Sequence, residues 1–362
     1  MLHDTKIAPP KRLRVLFLYN RTRTDLYRDV QSGEAHSAGF WGLVHLPEND
    51  IDAEFVELEQ YVPRRVATFL RRYIFRNIYF IHIPFFFKFF SYDIVFTSAA
   101  FGSQLLHAVL RVRRPVWVMH DFSITGFIGQ GTTLKQRVFK YLVSRSAGIV
   151  TVGREETEKL KRMFPKLADN IRYIPFGVDL DFFQPQPVPQ NNIVFAVGFD
   201  PDRDWKTLIA AVEGTDFEVI IATKPSRLMG ITLPRNVTQK VFTQRELIDA
   251  YARASVVVLP MDTSKGVNDA MGCTTLFEAL SMGKAIVGTN THTFASYITH
   301  GKNGLLVQEG DVEALREAIG KVLRDDELRK TLEAGARTYA VEHLDIRKLT
   351  VELAQFFKKL VS

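Results

Sequence analysis

The sequence predicts an α/β protein built as two doubly wound parallel sheets, one in each half of the chain. Three observations point there. Short, continuous apolar runs recur along the chain, each ending in a polar loop that leads into a helical pattern, as strands buried on both faces of a parallel sheet read. The rhythm stops at Gln184-Pro185-Gln186-Pro187-Val188-Pro189 and then restarts; repeated proline favours extended chain over packed structure. Finally, 362 residues with 46% hydrophobic content suffice for about two domains, each with a sizeable core.

In the first half, Val15-Leu16-Phe17-Leu18-Tyr19 follows Arg12 and Arg14 as the first buried strand. The loop from Asn20 to Ser37 carries Arg21, Arg23, Arg28, Ser32, Gly33, Glu34 and His36, and the residues from Phe40 to Leu46 predict a helix. Tyr92 to Thr97 reads as a strand, followed by a helix from about Gly102 to Val112. Pro115-Val116-Trp117-Val118-Met119 is the next strand, and it delivers His120 and Asp121 to its carboxyl end, where active-site groups gather in such sheets. A helix over Leu134 to Arg145, a strand over Gly148 to Val152 and a helix over Glu155 to Phe164 follow. The segment from Ile171 to Asp179 then closes the domain.

Residues 61–92 stand out by composition alone. Arg64, Arg65, Arg71, Arg72, Arg76 and Lys88 occur with no acidic residue between them, interleaved with phenylalanines. A basic helix with a bulky apolar face suits the headgroup boundary of an anionic bilayer. His82 and Pro84 interrupt it, and its longest uncharged run is too short to span, so the expectation is contact with a membrane surface. The alternative is an internal helix whose phenylalanines pack into the domain.

The net charge of +7 fits a polyanionic ligand, an anionic membrane or nucleic acid. No nucleic-acid module surrounds the arginine-rich segment, so nucleic acid is not expected as a partner. The single cysteine, Cys273, excludes a disulfide framework and a multi-cysteine zinc site. The amino-terminal residues do not read as a secretory signal, and the expected setting is cytoplasmic, peripheral on the inner face of a membrane if the basic segment docks there.

In the second half, Ile193 to Gly198 is a buried strand, and the loop Phe199-Asp200-Pro201-Asp202-Arg203-Asp204-Trp205-Lys206 enters a helix. The strand Phe217 to Thr223 presents Lys224-Pro225-Ser226-Arg227, a plausible nucleobase rim. After a helix over Gln244 to Ala254 and a strand over Ser255 to Pro260 comes the stretch Gly266 to Val307. It enters a short helix through Gly272-Cys273-Thr274-Thr275, carries Glu278 one turn in, and passes Met282-Gly283-Lys284 into another buried strand. The first amides of a helix lack internal partners and sit at the positive end of its dipole, so this layout is a seat for a diphosphate. Thr274 and Thr275 add hydroxyls, and Glu278 is placed to accept from a sugar or ribose hydroxyl. Two helices and a tail with Leu349, Leu353, Phe356 and Leu360 at helical spacing end the chain.

FEALSMGKAIVGT from Phe277 to Thr289, ITHGKNGLLVQEGD from Ile298 to Asp311 and the alanine-rich helix beyond resemble the donor-nucleotide half of retaining glycosyltransferases of family four. IPFGVDLDFF from Ile174 to Phe183 resembles the segment that joins their domains, with Phe176 where the family has asparagine. The resemblance implies the GT-B fold: two Rossmann-like domains facing each other across a cleft, with a C-terminal helix crossing back. It divides the chain into an acceptor domain over 1–183, a linker over 184–190, a nucleotide-sugar domain over 191–345 and a last helix over 346–362. Glu278 matches the family's ribose-binding glutamate. The earlier glutamate position holds Ala270, with Asp269 beside it as a substitute. His120 matches a histidine that faces the donor sugar, and Asp121 follows it. Arg203 falls where the family has a lysine that neutralises the leaving diphosphate, and Phe199 stands in place of its arginine; Lys206 is an assistant. Gly272 and Cys273 lie beside the phosphates. Gly33, Glu34 and Gly39 occupy the first loop, which borders the acceptor.

The implied reaction moves a sugar from a nucleotide-sugar substrate to a lipid, lipid-linked or other saccharide acceptor, with retention, no cofactor and no metal. A nucleotide-sugar epimerase of the same architecture and a non-catalytic binding protein of this fold are the alternatives.

Overall fold

The computed structural model describes residues 12–74, 80–98, 100–121, 124–190, 192–264, 266 and 270–362. The apolar runs lie in strands covered on both faces. In the first half β1 (Leu13–Leu18), β2 (Ile51–Phe55), β3 (Ile94–Thr97), β4 (Val116–Asp121), β5 (Gly148–Thr151) and β6 (Ile171–Tyr173) make a parallel six-stranded sheet ordered β2-β1-β3-β4-β5-β6. In the second half β7 (Ile193–Val197), β8 (Glu218–Ala222), β9 (Val237–Lys240), β10 (Ala254–Leu259), β11 (Ile286–Thr289) and β12 (Leu305–Val307) make another, ordered β12-β11-β10-β7-β8-β9. Every strand pair in both is parallel, for example Val15 opposite Ile94 and Val257 opposite Phe195.

The first-half helices are α1 (Thr24–Gln31), α2 (Arg64–Phe69), α3 (Phe101–Val109), α4 (Ile124–Ile128), α5 (Leu134–Ser144) and α6 (Arg154–Met163). Those of the second half are α7 (Trp205–Val212), α8 (Gln244–Arg253), α9 (Cys273–Ser281), α10 (His292–Ala295), α11 (Val312–Arg324) and α12 (Asp326–His343). The last helix, α13 (Ile346–Val361), returns to the first sheet: Leu349, Leu353, Phe356 and Phe357 share a core with Phe17 and Phe96, and the Phe96 and Phe357 rings meet edge to face at 5.3 Å. The apolar stripe of the tail is therefore core.

Two expectations need correction. Phe40 to Leu46 is not a regular helix but two 3₁₀ segments, Ser37–Phe40 and Leu43–Asn49. Trp41 and Gly42 between them have φ of 54° and 91°, and a Cβ on Gly42 would lie 2.8 Å from Thr350 Oγ1 of α13. Only a bare backbone fits against that helix, and the left-handed turn breaks the run. The basic segment is not one helix either. It divides into α2, a π turn over Leu70–Ile74 and a 3₁₀ segment over Ile83–Ser91, with 75–79 outside the described residues. Its phenylalanines also divide: Phe86 and Phe89 are buried, whereas Phe69, Phe80, Phe87 and Phe90 are exposed.

In both sheets the strand order reverses beside the first strand, and a doubly wound sheet binds ligands at the carboxyl ends of the strands flanking that point. In the second sheet these strands are β7 and β10.

Candidate active site

The loop after β7 supplies Arg203 and the loop after β10 leads into α9. A bridge between Arg203 and Met261 holds the two loops together. The buried Arg203 guanidinium donates from Nε to Asp200 Oδ2 at 3.0 Å and from Nη2 to Thr275 Oγ1 at 2.7 Å. Its Nη1 is closed to water and has no partner among the described residues. Gly198 makes room for it, since a Cβ there would lie 2.2 Å from Nε. A buried, charged donor left without an acceptor is costly, and an anion is what relieves it.

Helix α9 begins at Gly272, whose φ of +72° turns the chain into the helix, and no side chain caps it. A Cβ on Gly272 would press on Phe294 at 2.9 Å. Cys273 is buried as a small packing residue, and Thr275 Oγ1 also donates to Gly272 O at 3.0 Å. Thr274 is exposed. Glu278 lies one turn further, buried, and its Oε2 accepts from Tyr251 Oη at 2.9 Å. Burial pushes the Glu278 carboxyl up to about 7, against the opposing pull of the Tyr251 hydrogen bond and the Arg203 charge.

Thr274 and Glu278 form the second-domain wall of a cavity of about 260 Å³ between the domains. The facing wall is Arg23, His36, Ala38, Gly39 and Trp41, and the floor is the crossing segment with Phe176, Gly177, Val178 and Phe183. Arg203 and its partner Thr275 do not line this cavity; they lie behind its wall, Thr275 next in sequence to the lining Thr274. Arg23 is partly buried over the Tyr19 ring, 5.2 Å from its centroid, and burial lowers its pKa. His36 packs on Phe183 with ring centroids 5.2 Å apart, and burial brings its pKa down to about 4, so it is neutral at pH 7. Next to it, the Ser37 amide and hydroxyl donate to Asp179 Oδ2 at 2.9 and 2.7 Å, pinning the first loop to the crossing segment.

His120 does end β4 on the cleft side, but its ring does not line this cavity. It sits in an aromatic pocket, 4.6 Å from the Trp41 ring, 5.2 Å from Phe96 and 6.1 Å from Phe176. Trp41 and Phe176 line both spaces and so partition them. Burial lowers the His120 pKa to about 3, which leaves a neutral imidazole. Asp121 is buried and accepts from the Ile124 amide, where it starts α4.

The remaining sequence candidates lie elsewhere. Lys206 is exposed on the first turn of α7, and Lys224 is exposed at the end of β8. Neither lines the cavity. Gly33 is exposed with a φ of +74° and open space around it. Glu34 joins Arg245 of the second domain at 2.8 Å rather than facing the cavity. Asp269 lies outside the described residues. Conversely, sequence reading did not select Arg23, His36, Trp41 and Tyr251 as site residues. Arg23 and His36 were visible as polar residues in the loop after the first strand; nothing local marks Tyr251, which meets Glu278 only through the packing of α8 on α9. Among the described residues, no group of three or more His, Cys, Asp and Glu is arranged to hold a metal ion.

Two family models match the chain in tandem: "Glycosyltransferase Family 4" over residues 43–182, and "Glycosyl transferases group 1" over residues 227–339. Among curated relatives, a D-inositol 3-phosphate glycosyltransferase of Xylanimonas cellulosilytica is 28% identical over 54% of this chain and 53% of that protein. A GDP-mannose-dependent alpha-(1-6)-phosphatidylinositol monomannoside mannosyltransferase of Mycobacterium tuberculosis is 23% identical over 53% of this chain and 56% of its own length. The chain thus spans about half the length of these relatives. Among solved structures, a sucrose-phosphate synthase of Thermosynechococcus elongatus superimposes with a TM-score of 0.69 at 17% identity, covering 96% of this chain and 99% of that one. HepE of Anabaena, in complex with UDP-glucose, gives 0.66 at 14% identity over 96% and 100%. The structures share the fold; the models, one on each lobe, carry the family, and the chain belongs to the group 1 glycosyltransferases of the GT-B fold.

Proposed function

We propose that this protein transfers a sugar from a nucleotide-sugar donor to the hydroxyl of a lipid or lipid-linked saccharide, with retention of anomeric configuration. The observation that carries the donor half is Arg203: a buried guanidinium with Nη1 unmatched among the described residues, beside the uncapped start of α9. A departing diphosphate would take that donor together with the α9 amides, whose alignment costs no reorganisation as charge develops. Protein groups thus neutralise the leaving group, and we assign no metal to the step. Glu278 accepts from a ribose hydroxyl, and His120 contributes from behind the Trp41 and Phe176 partition by fixing the sugar-side wall. Same-face attack by the acceptor hydroxyl, entering past Gly39 and Arg23, retains configuration. The family membership and the UDP-glucose complex of HepE support the donor class.

The acceptor half rests on residues 64–90. Phe87 is 84% exposed, Tyr73 and Ile74 60% and Phe69 55%, among Arg64, Arg65 and Arg72. Such a patch is costly in water and suits an anionic membrane surface, where the protein would sit peripherally on the cytoplasmic face. Among the described residues no helix is long and apolar enough to cross a membrane.

Calorimetric titration with a panel of UDP- and GDP-sugars tests the donor reading. We expect one of them to bind and Arg203→Ala to weaken it by about tenfold to a hundredfold, the range for a charge-assisted hydrogen bond. No binding across the panel, or equal binding by the variant, overturns it. Ala270 and Phe199, standing where the family has charged residues, favour a second reading as a sugar-nucleotide binding protein without turnover. Release of label from the bound donor on adding membrane extract decides between them, and conversion without any acceptor would indicate an epimerase.

A further inference from the structure

The opposite end of β4 opens on a groove of about 620 Å³ bounded by α3, α5 and the first residues of the strand. It lies behind the first sheet, away from the cleft, and Val116 at its edge is roughly 13 Å along the strand from His120. Six of its residues set its chemistry: Gln104, His107, Trp117, Arg111, Arg113 and Arg145.

Two independent features separate it from an ordinary surface depression. The first is a set of unmatched polar atoms. Gln104 and Trp117 are 3% exposed and His107 9%. Gln104 Oε1, His107 Nε2 and Trp117 Nε1 are closed to water and have no hydrogen-bond partner among the described residues. Buried polar atoms are normally paired, and three unpaired ones around one groove mark a place for a ligand's own polar groups. The second is charge. Arg111, Arg113 and Arg145 border the groove, and among the described residues no acidic one lines it. Arg114 beside them is paired with Asp93 at 3.6 Å, whereas the three groove arginines have no such partner among the described residues. Arg111 holds a left-handed φ of 53°, unfavourable for a residue with a Cβ, as the chain turns from α3 into β4.

The donor and acceptor roles are fixed by neighbours. Gln104 Nε2 is committed to Leu142 O at 3.1 Å and Ser146 Oγ at 3.0 Å, which leaves its oxygen as an acceptor. His107 donates to the Pro115 carbonyl; burial lowers its pKa, and the Arg145 charge lowers it further. The ring is therefore neutral at pH 7 and Nε2 is an acceptor. Trp117 Nε1 can only donate.

We infer that this groove is a second ligand site, distinct from the interdomain cleft, for a phosphorylated polyol. The guanidinium groups take the phosphate, whose three oxygens and double charge suit three forked cations better than a carboxylate does. Hydroxyls donate to Gln104 Oε1 and His107 Nε2, and one accepts from Trp117 Nε1. A neutral polyol leaves the cations unmatched, and bare phosphate leaves the buried acceptors unmatched. The site does not depend on the donor reading of the cleft.

The chain has 3 Trp residues, so its indole N–H signals in an ¹⁵N-labelled sample report on separate places. Trp41 lines the cleft, and the Trp117 signal is assigned with Trp117→Phe. The probes are glucose 6-phosphate, glucose and inorganic phosphate. We expect glucose 6-phosphate to shift the Trp117 signal saturably without moving that of Trp41, and the two fragments to bind more weakly. The Arg113→Ala/Arg145→Ala variant, with an otherwise unchanged spectrum, should lose about tenfold or more in affinity. No saturable Trp117 shift, equal affinity in the arginine variant, or phosphate alone binding as tightly as the sugar phosphate overturns the inference.

Discussion

At the scale of single residues, Glu278 meets two opposing demands. Burial at the start of the cleft raises its pKa from an ordinary 4.5 to about 7, so the folded protein holds a proton that the unfolded chain gives up. Native and unfolded states therefore differ in bound protons between those values. The stability present below pH 4.5 is lost as pH rises to about 7, by roughly 3 kcal/mol at full effect. Glu278→Gln keeps an acceptor for Tyr251 without titrating. Its urea midpoint should match that of the parent near pH 5 and exceed it at pH 8; the same difference at both pH values would contradict the shift. A second expectation concerns Gly198. Its missing Cβ leaves the space that Arg203 occupies as it bonds Thr275, so Gly198→Ala should displace the guanidinium and weaken nucleotide-sugar binding by about tenfold, in the range of one lost charged hydrogen bond. Calorimetry on the two proteins checks it. Thr274 and Glu278, which line the cavity, were picked out because they lie in one contiguous motif. Arg203 was picked out through the resemblance, as the cation standing where the family has its lysine. Arg23, His36 and Tyr251 acquire their place only when separate elements pack, and no local pattern encodes that.

At the scale of elements, α9 depends on its first residue. Gly272 combines a φ of +72° with a close approach to Phe294, so Gly272→Ala adds about 1–2 kcal/mol of backbone cost and a steric conflict besides. We expect a drop of several degrees in the thermal midpoint by calorimetry, together with loss of donor binding. Helix α13 is tested through Phe357, fully buried between its own helix and Phe96. Phe357→Ala should cost about 3–5 kcal/mol in denaturant unfolding, although it is far along the chain from the sheet it supports. The central strands were readable because both faces are apolar and the runs are unbroken, as in β7, β10 and β11. The edge strand β2 was not: its sequence Ile-Asp-Ala-Glu-Phe shows one buried residue and alternating acids. The region around Gly42 read as helical because its apolar spacing allowed it, while the contact with α13 that forbids it is made by residues some 300 positions later.

At the scale of the whole molecule, the exposed aromatic and basic patch on the first lobe predicts a measurable behaviour. In flotation with vesicles containing anionic lipid, the parent should rise with the liposomes and Phe87→Asp/Phe90→Asp should remain below; added salt should weaken flotation of the parent, because Arg64, Arg65 and Arg72 supply part of the attraction. The division into two lobes was legible from the proline-rich break and the repeated rhythm. How the lobes meet was not, because it rests on pairs distant in sequence, such as Tyr173 and Tyr297 hydroxyls 3.1 Å apart and Glu34 with Arg245. The chain passes between the lobes twice, and the two passages are stitched side by side: the Val178 amide donates to Leu344 O at 2.7 Å, and the Ile346 amide to Val178 O at 3.1 Å. The two hydrogen-bonded passages thus form a single pin between the lobes. That pin is also the base of the cleft, through Phe176, Gly177 and Val178. Whatever settles at the bottom of the space rests on that joint itself.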